Sequence, residues 1–357
     1  MPRSNGLVIL AGVTAVTVIA AAWSVSERYS TVALEQQEGG VVFAGLQEKV
    51  GDISTVEISR AAGNFVLRRQ ADGWANLGAG GYPARQARIE KMIGGLVGLS
   101  YFEPKTERSG LYPKIGVEDV SDGAKSTRLT VKDEVGAVVA DIIVGNAKSG
   151  VAGLDRDGVY VRLPGEERAW LAEGSLDIRY DAVDWSERRV VHVRASKVGV
   201  LSVSHPDGEV VEIYRKGVDD ADLTVKNLPQ NAEVEHQYQI DFMSNLLDEV
   251  SFLDAKPADQ VSFEKEGGYT ATVMSTDGLV VMLRTAQPEE DESIWAQFDA
   301  DVAKEFEATE DAVKEAERIK TELEGWAFRL PRSKTDRLKI RLDEIIKSTD
   351  SSDRKEG

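Results

Sequence analysis

The sequence predicts an α+β protein: an N-terminal single transmembrane helix, then two tandem, duplicated units of antiparallel sheet plus helix, with C-terminal helices. Three observations predict it. Residues 6–23, "GLVILAGVTAVTVIAAAW", carry no charge. The segments beyond residue 45 alternate apolar and polar residues as half-buried strands do. And "RIEKMIGGLVGLSYFEPK" at 88–105 returns 151 positions later as "QIDFMSNLLDEVSFLDAK", with Ile89, Met92, Leu96, Leu99 and Tyr101 facing Ile240, Met243, Leu247, Val250 and Phe252.

The first element follows from length and charge. As a helix, Gly6 to Trp23 rises about 27 Å, close to the hydrocarbon thickness of a bilayer. Arg3 and the N-terminal amine precede the run, and Glu27 and Arg28 close it. Positive charge therefore lies mainly before the segment, which directs residues 1–5 to the cytoplasm and the bulk of the chain across the membrane. Trp23 and Tyr29 suit the far interface. A cleaved signal peptide is the competing reading, since "AAAW" offers small residues, but the run exceeds the usual apolar region of about 7–15 residues. Residues 24–44 read as a linker.

The first unit is expected over 45–193. "STVEISRAAGNFVLRRQADGW" alternates through Val56, Ile58, Phe65 and Leu67 around a Gly-Asn turn, giving a hairpin. "GAGGYPA" breaks the chain, and a helix starts near Ala84 with Ile89, Met92, Ile93, Leu96 and Leu99 as its apolar stripe. Gly94, Gly95 and Gly98 weaken that helix by up to about 1 kcal/mol each, a cost tolerable if they let a sheet approach closely. "TRLTVKDEVGAVVADIIVG" and "GVYVRLPGEERAWLA" supply further hairpins.

The second unit is expected over 194–298. "VLSVSHPDGEVVEIYRK" matches the first hairpin at an offset of 145, placing Leu201, Val203, Gly208 and Val211 over Val56, Ile58, Gly63 and Val66. "YTATVMSTDGLVVMLRT" matches "TRLTVKDEVGAVVADII" at an offset of 142. A chance echo explains one such block and hardly three in one order. Residues 299–347 read as C-terminal helices with a short strand, "GWAFRLP". Val302, Phe306, Val313 and Leu323 form a thin stripe over 299–324, and Leu338, Leu342, Ile345 and Ile346 share one face further on. Residues 348–357 have a disordered composition.

Composition narrows the chemistry. A net charge of −18 argues against nucleic acid, which demands clustered Lys and Arg. The absence of cysteine excludes disulfides, thiolate nucleophiles and Cys-based metal centres. His192, His205 and His236 show no metal-ligand spacing, and each reads as structural or exposed. "NLGAGGY" at 76–82 lacks the Gly-Lys-Ser/Thr of a phosphate loop and reads as a flexible turn. "LDRDGVY" at 154–160 reads as a turn, and "QPEEDES" at 287–293 as a solvated acid run. No nucleophile motif is present. The expectation is a protein that is not an enzyme, with no catalytic, cofactor-binding or metal-binding residues.

The blocks "VEIS…FVLRRQADGWANLG…YPARQARIEKMIGGLVGLSYFEP", "GLYPKIGVED", "VVADIIVG", "VYVRLPG" and "VDWSERRVV" resemble a bacterial domain-of-unknown-function family of exported, membrane-tethered proteins. Genes of that family commonly stand beside gliding-motility-type ABC transporter components. The resemblance covers most of 45–330, and "GWAFRLP" is similar to the family's C-terminal motif. It implies a single-pass protein of the bacterial inner membrane with its bulk in the periplasm. The implied partners are an ABC-2-type permease and a large periplasmic auxiliary protein. The family carries no established catalytic residues.

The function these readings favour is a non-catalytic accessory or scaffold subunit of an ABC-transport-type envelope complex. Its candidate contact residues are Trp185, Arg188 and Arg189 at the junction of the units, together with the stripes Val302, Phe306, Val313, Leu323 and Leu338, Leu342, Ile345, Ile346. Both stripes can also fold back on the second unit. The alternative is a periplasmic module binding glycan, lipid or peptide in the cleft between the units, lined by Trp170, Trp185 and Trp295. An envelope hydrolase acting through carboxylates is a third reading.

Overall fold

The computed structural model describes residues 39–151, 156–217, 222–226, 228–263, 267–287, 293–304 and 307–348. The expected transmembrane run at 6–23, most of the acid run at 287–293, Phe306 and residues 349–357 lie outside the described residues. Among the described residues, no helix is long and apolar enough to cross a membrane.

The chain is α+β and rich in sheet. Its first nine strands are β1 (Ile53–Arg60), β2 (Gly63–Gln70), β3 (Gly73–Asn76), β4 (Tyr82–Ala84), β5 (Ser100–Pro104), β6 (Thr127–Asp133), β7 (Val138–Lys148), β8 (Gly158–Arg162) and β9 (Ala169–Glu173). They form one antiparallel sheet in the order β4-β3-β2-β1-β6-β7-β8-β9-β5. Helix α1 (Gln86–Gly98) links β4 to β5 and buries Ile89, Met92, Ile93 and Leu96 on the sheet. Of its glycines, Gly95 is the one pressed against another segment. A Cβ there would stand 2.5 Å from the Ser175 carbonyl, so the close approach is to a loop rather than to the sheet.

After β10 (Arg189–Val191) come β11 (Val198–Ser204), β12 (Val210–Arg215), β13 (Leu223–Val225) and β14 (Ala232–Val234). Helix α2 (Gln237–Ser244) leads to β15 (Val250–Ser251), β16 (Asp254–Pro257), β17 (Thr270–Ser275), β18 (Leu279–Thr285) and β19 (Ile294–Val302). Helix α3 (Glu310–Leu323) and β20 (Trp326–Leu330) follow, and β21 (Ile346–Ser348) is the last strand among the described residues. The second sheet has the order β13-β12-β11-β17-β18-β19-β20-β16.

The two sheets share a strand order and a register. Val56 pairs with Val131 and Ile58 with Leu129, while Leu201 pairs with Val273 and Val203 with Ala271. In the hairpins, however, Leu67 and Phe65 face Val56 and Ile58, and Ile213 and Val211 face Leu201 and Val203. Val211 therefore stands where Phe65 does, not where Val66 does. The 205–209 turn is one residue longer than its counterpart, and a one-residue slip exchanges the buried and exposed faces of a strand.

The C-terminal third departs from the expected layout. β19 runs across the boundary expected at 298/299, because Phe298, Ala300 and Val302 continue the inward alternation. The helix begins only at Glu310, where the Thr309 side chain accepts the Ala312 amide at 3.3 Å. β20 does not stand apart; it pairs with β19 and β16 inside the second sheet. Nor do Leu338, Leu342, Ile345 and Ile346 share a helix. One-turn segments at Arg332–Thr335, Asp336–Leu338 and Leu342–Glu344 break that stretch, and Ile346 pairs as strand with Val234. The Arg341–Glu344 capping box starts a turn at Leu342 where a continuous helix would have passed through.

Candidate functional site

The loop between β3 and β4, "NLGAGGY", builds the joint between the two sheets. Asn76, fully buried, donates through Nδ2 to the Ala182 carbonyl at 2.7 Å and to Ser186 Oγ at 3.1 Å. This fixes the loop against the segment that leads into the second unit. Ala79 and Tyr82 then pack in the core of the second sheet although they belong to the first. Gly80 makes that crossing sterically feasible. It adopts φ 62°, and a Cβ on it would stand 2.5 Å from the Ala255 carbonyl oxygen and 2.7 Å from Lys256 Cα. The turn read from sequence as flexible is the contact point of the two units.

Tyr82 ends the crossing in an aromatic box. Its ring meets Phe252, Trp326 and Phe328 edge-on, with centroids 5.4, 5.0 and 5.3 Å away. Each such pair is worth about 0.5–1.5 kcal/mol beyond area burial. Burial, with the Glu322 carboxylate second, pushes the Tyr82 phenol up to about 12.

The connecting segment closes the joint from the other side. Trp185 is fully buried in the first core and donates from Nε1 to the Arg179 carbonyl at 3.0 Å. Arg188 donates to Asp184 at 2.9 Å and to the Phe252 carbonyl at 3.3 Å, and the Phe252 amide returns a bond to the Arg188 carbonyl at 3.1 Å. Arg318 on α3 donates to the Val190 carbonyl at 2.7 Å while held by Glu315 and Glu322. Its hydrogen bonds to Glu315, ahead of the opposing cost of burial, raise its pKa.

The other expected contact residues divide by exposure. Leu323, Leu338 and Ile345 are buried in the second core, and Val302, Leu342 and Ile346 pack against it. These six residues thus fold back on the chain's own sheet, since apolar side chains beside an open sheet face are buried most readily there. Val313 and Arg189 are left on the surface. The three tryptophans expected in one cleft do not meet. Trp170 and Trp185 lie in the first core, and Trp295 packs in a separate small cluster with Lys256 Nζ 3.8 Å from its ring centroid.

A cleft of ≈ 670 Å³ instead crosses the outward face of the second sheet, over Thr272, Met282, Arg284, Gln297 and Asp299. The end of α3 walls it, and Lys320 there reaches Asp301 at 3.6 Å. His205 is buried with Nε2 3.2 Å from the Ile340 carbonyl. Among the described residues, His192, Asp248 and Glu249 bring three potential metal-ligand atoms within 4.8 Å of one another. Sequence spacing missed this group because its members flank two strands, β10 and β15, that pair only in the fold.

Two antiparallel sheets of like strand order, joined through a shared aromatic box, define a two-lobed α+β protein. The chain belongs to the family described as domain of unknown function DUF4340, whose model matches residues 74–265. No curated protein matches the chain, and no solved structure does.

Proposed function

We propose that this chain is a membrane-anchored periplasmic accessory subunit of an ABC-transport-type envelope complex, acting as a non-catalytic scaffold through two lobes that arose by internal duplication. The uncharged run at 6–23 supports the anchor. The observation that carries the reading is the joint. Tyr82 and Ala79 sit in the core of the opposite lobe, so the two sheets form one stiff body able to hold partners at a fixed separation. Anchoring such a body at a membrane raises its effective concentration near a permease without strong contacts. The partners proposed are an ABC-2-type permease and a large periplasmic auxiliary protein.

Affinity purification of the tethered protein from detergent extracts tests this reading. Recovery of a permease or its auxiliary protein in stoichiometric amount supports it, and recovery of the chain alone overturns it. The cleft on the second sheet favours ligand binding as a second reading, since its lining mixes Met282 with Arg284, Gln297 and Asp299. A thermal-shift screen with envelope glycans, lipids and peptides separates the two, because a small ligand stabilises only a protein that binds it.

A further inference from the structure

We propose that His192, Asp248 and Glu249 form a zinc-class divalent-cation site at the root of the second lobe. His192 follows directly on β10, and Asp248 and Glu249 directly precede β15. The pairing of Val191 with Val250 brings these ends together. His192 Nδ1 lies 3.2 Å from Asp248 Oδ1 and 3.3 Å from Glu249 Oε1. Donors about 2.0–2.2 Å from a common zinc ion stand about 3.3–3.6 Å apart in a tetrahedron, so both edges are close to the spacing an ion requires.

The donor set selects the ion. One imidazole and two carboxylates, with no thiolate anywhere in the chain, suit Zn(II) better than the soft Cu(I) or the all-oxygen preference of Mg(II). Two interactions now occupy the group, and both are replaceable. The Glu249 amide donates to His192 Nδ1 at 3.2 Å, a bond the ion would supplant while water takes the exposed amide. Arg189 Nη1 reaches the Glu249 carboxylate only at 3.3 and 3.4 Å in an exposed pair, the kind that solvent screens. Three protein donors leave a fourth position for water. Bound there, the ion staples β10 to the turn before β15. Arg188 and Arg318 already tie that segment to Phe252 and to α3 of the second lobe, so the site stiffens the second lobe where the connecting segment enters it.

Isothermal titration of the full chain in detergent with ZnCl2 and with MgCl2 tests the site, alongside His192→Ala, Asp248→Asn and the half-buried control His236→Ala, which lies outside the cluster. One zinc per chain is expected, with affinity at least about tenfold weaker in the first two variants and unchanged in the control. Zinc should raise the Tm of the wild type and not that of His192→Ala, and magnesium should do neither. Zinc binding of unchanged strength in His192→Ala and Asp248→Asn overturns the proposal, as does an absence of wild-type binding. If His192→Ala does not fold by circular dichroism, Asp248→Asn, which changes a donor and not the shape, decides.

Discussion

Tyr82 leaves the edge strand of one sheet and finishes inside the core of the other, which makes it the residue most exposed to test. Tyr82→Ala should cost about 3–5 kcal/mol in denaturant unfolding, the range for removing a buried aromatic side chain. Tyr82→Phe should keep the packing and change the pH dependence. The unfolded phenol ionises near pH 10, whereas the folded one is held up to about 12. Between those values the folded state retains a proton that the unfolded state has lost, so stability falls as pH rises from about 10 to 12. The fall attributable to this one group is on the order of 2–3 kcal/mol, and Tyr82→Phe should remove it from the alkaline limb of a pH–stability curve. Glu249 makes a second residue-scale case. It has φ 48°, a conformation that costs a side-chain-bearing residue about 1–2 kcal/mol. Glu249→Gly should raise stability by about 1 kcal/mol in metal-free buffer; a loss would show that its contacts with Arg189 and His192 outweigh the strain.

At the scale of elements, α3 separates cap, core and surface. Thr309→Ala should cost about 1 kcal/mol through the lost N-cap. Ile319→Ala, at a fully buried position, should cost about 2–5 kcal/mol, and Val313→Lys on the exposed side should stay within about 0.5 kcal/mol. Chemical denaturation of the three variants orders them directly. Elements with strong periodicity were legible in sequence: β1, β2, α1 and the β8–β9 hairpin stand where Val56, Phe65, Ile89 and Trp170 put them. Those that depend on partners were not. The alternation of Phe298, Ala300 and Val302 is short and lies against a charged run, so helix propensity masked a strand that β18 stabilises from the side. Ile346 looked helical by spacing and became strand because β14 offered it a ladder.

The whole molecule adds what neither scale contains. Because Ala79 and Tyr82 belong to the second core, unfolding one lobe strips the other of part of its interior. Calorimetry of the wild type should therefore show one cooperative transition. Gly80→Val, which drives a side chain into the Ala255 carbonyl at the crossing, should split it into two. Two transitions in the wild type would deny the coupling on which the scaffold reading rests.

By itself the sequence determined the α+β class, the repeated helix and strand blocks, and the exclusion of thiol chemistry, because each is written in local periodicity or in composition. Only the tertiary structure decided that "NLGAGGY" is a joint, that Leu323, Leu338 and Ile345 face inward, and that His192 meets Asp248 and Glu249. The reason is one of range. Periodicity reports which face of an element avoids water, but which surface covers that face is settled by segments far away along the chain, and no local pattern records their meeting.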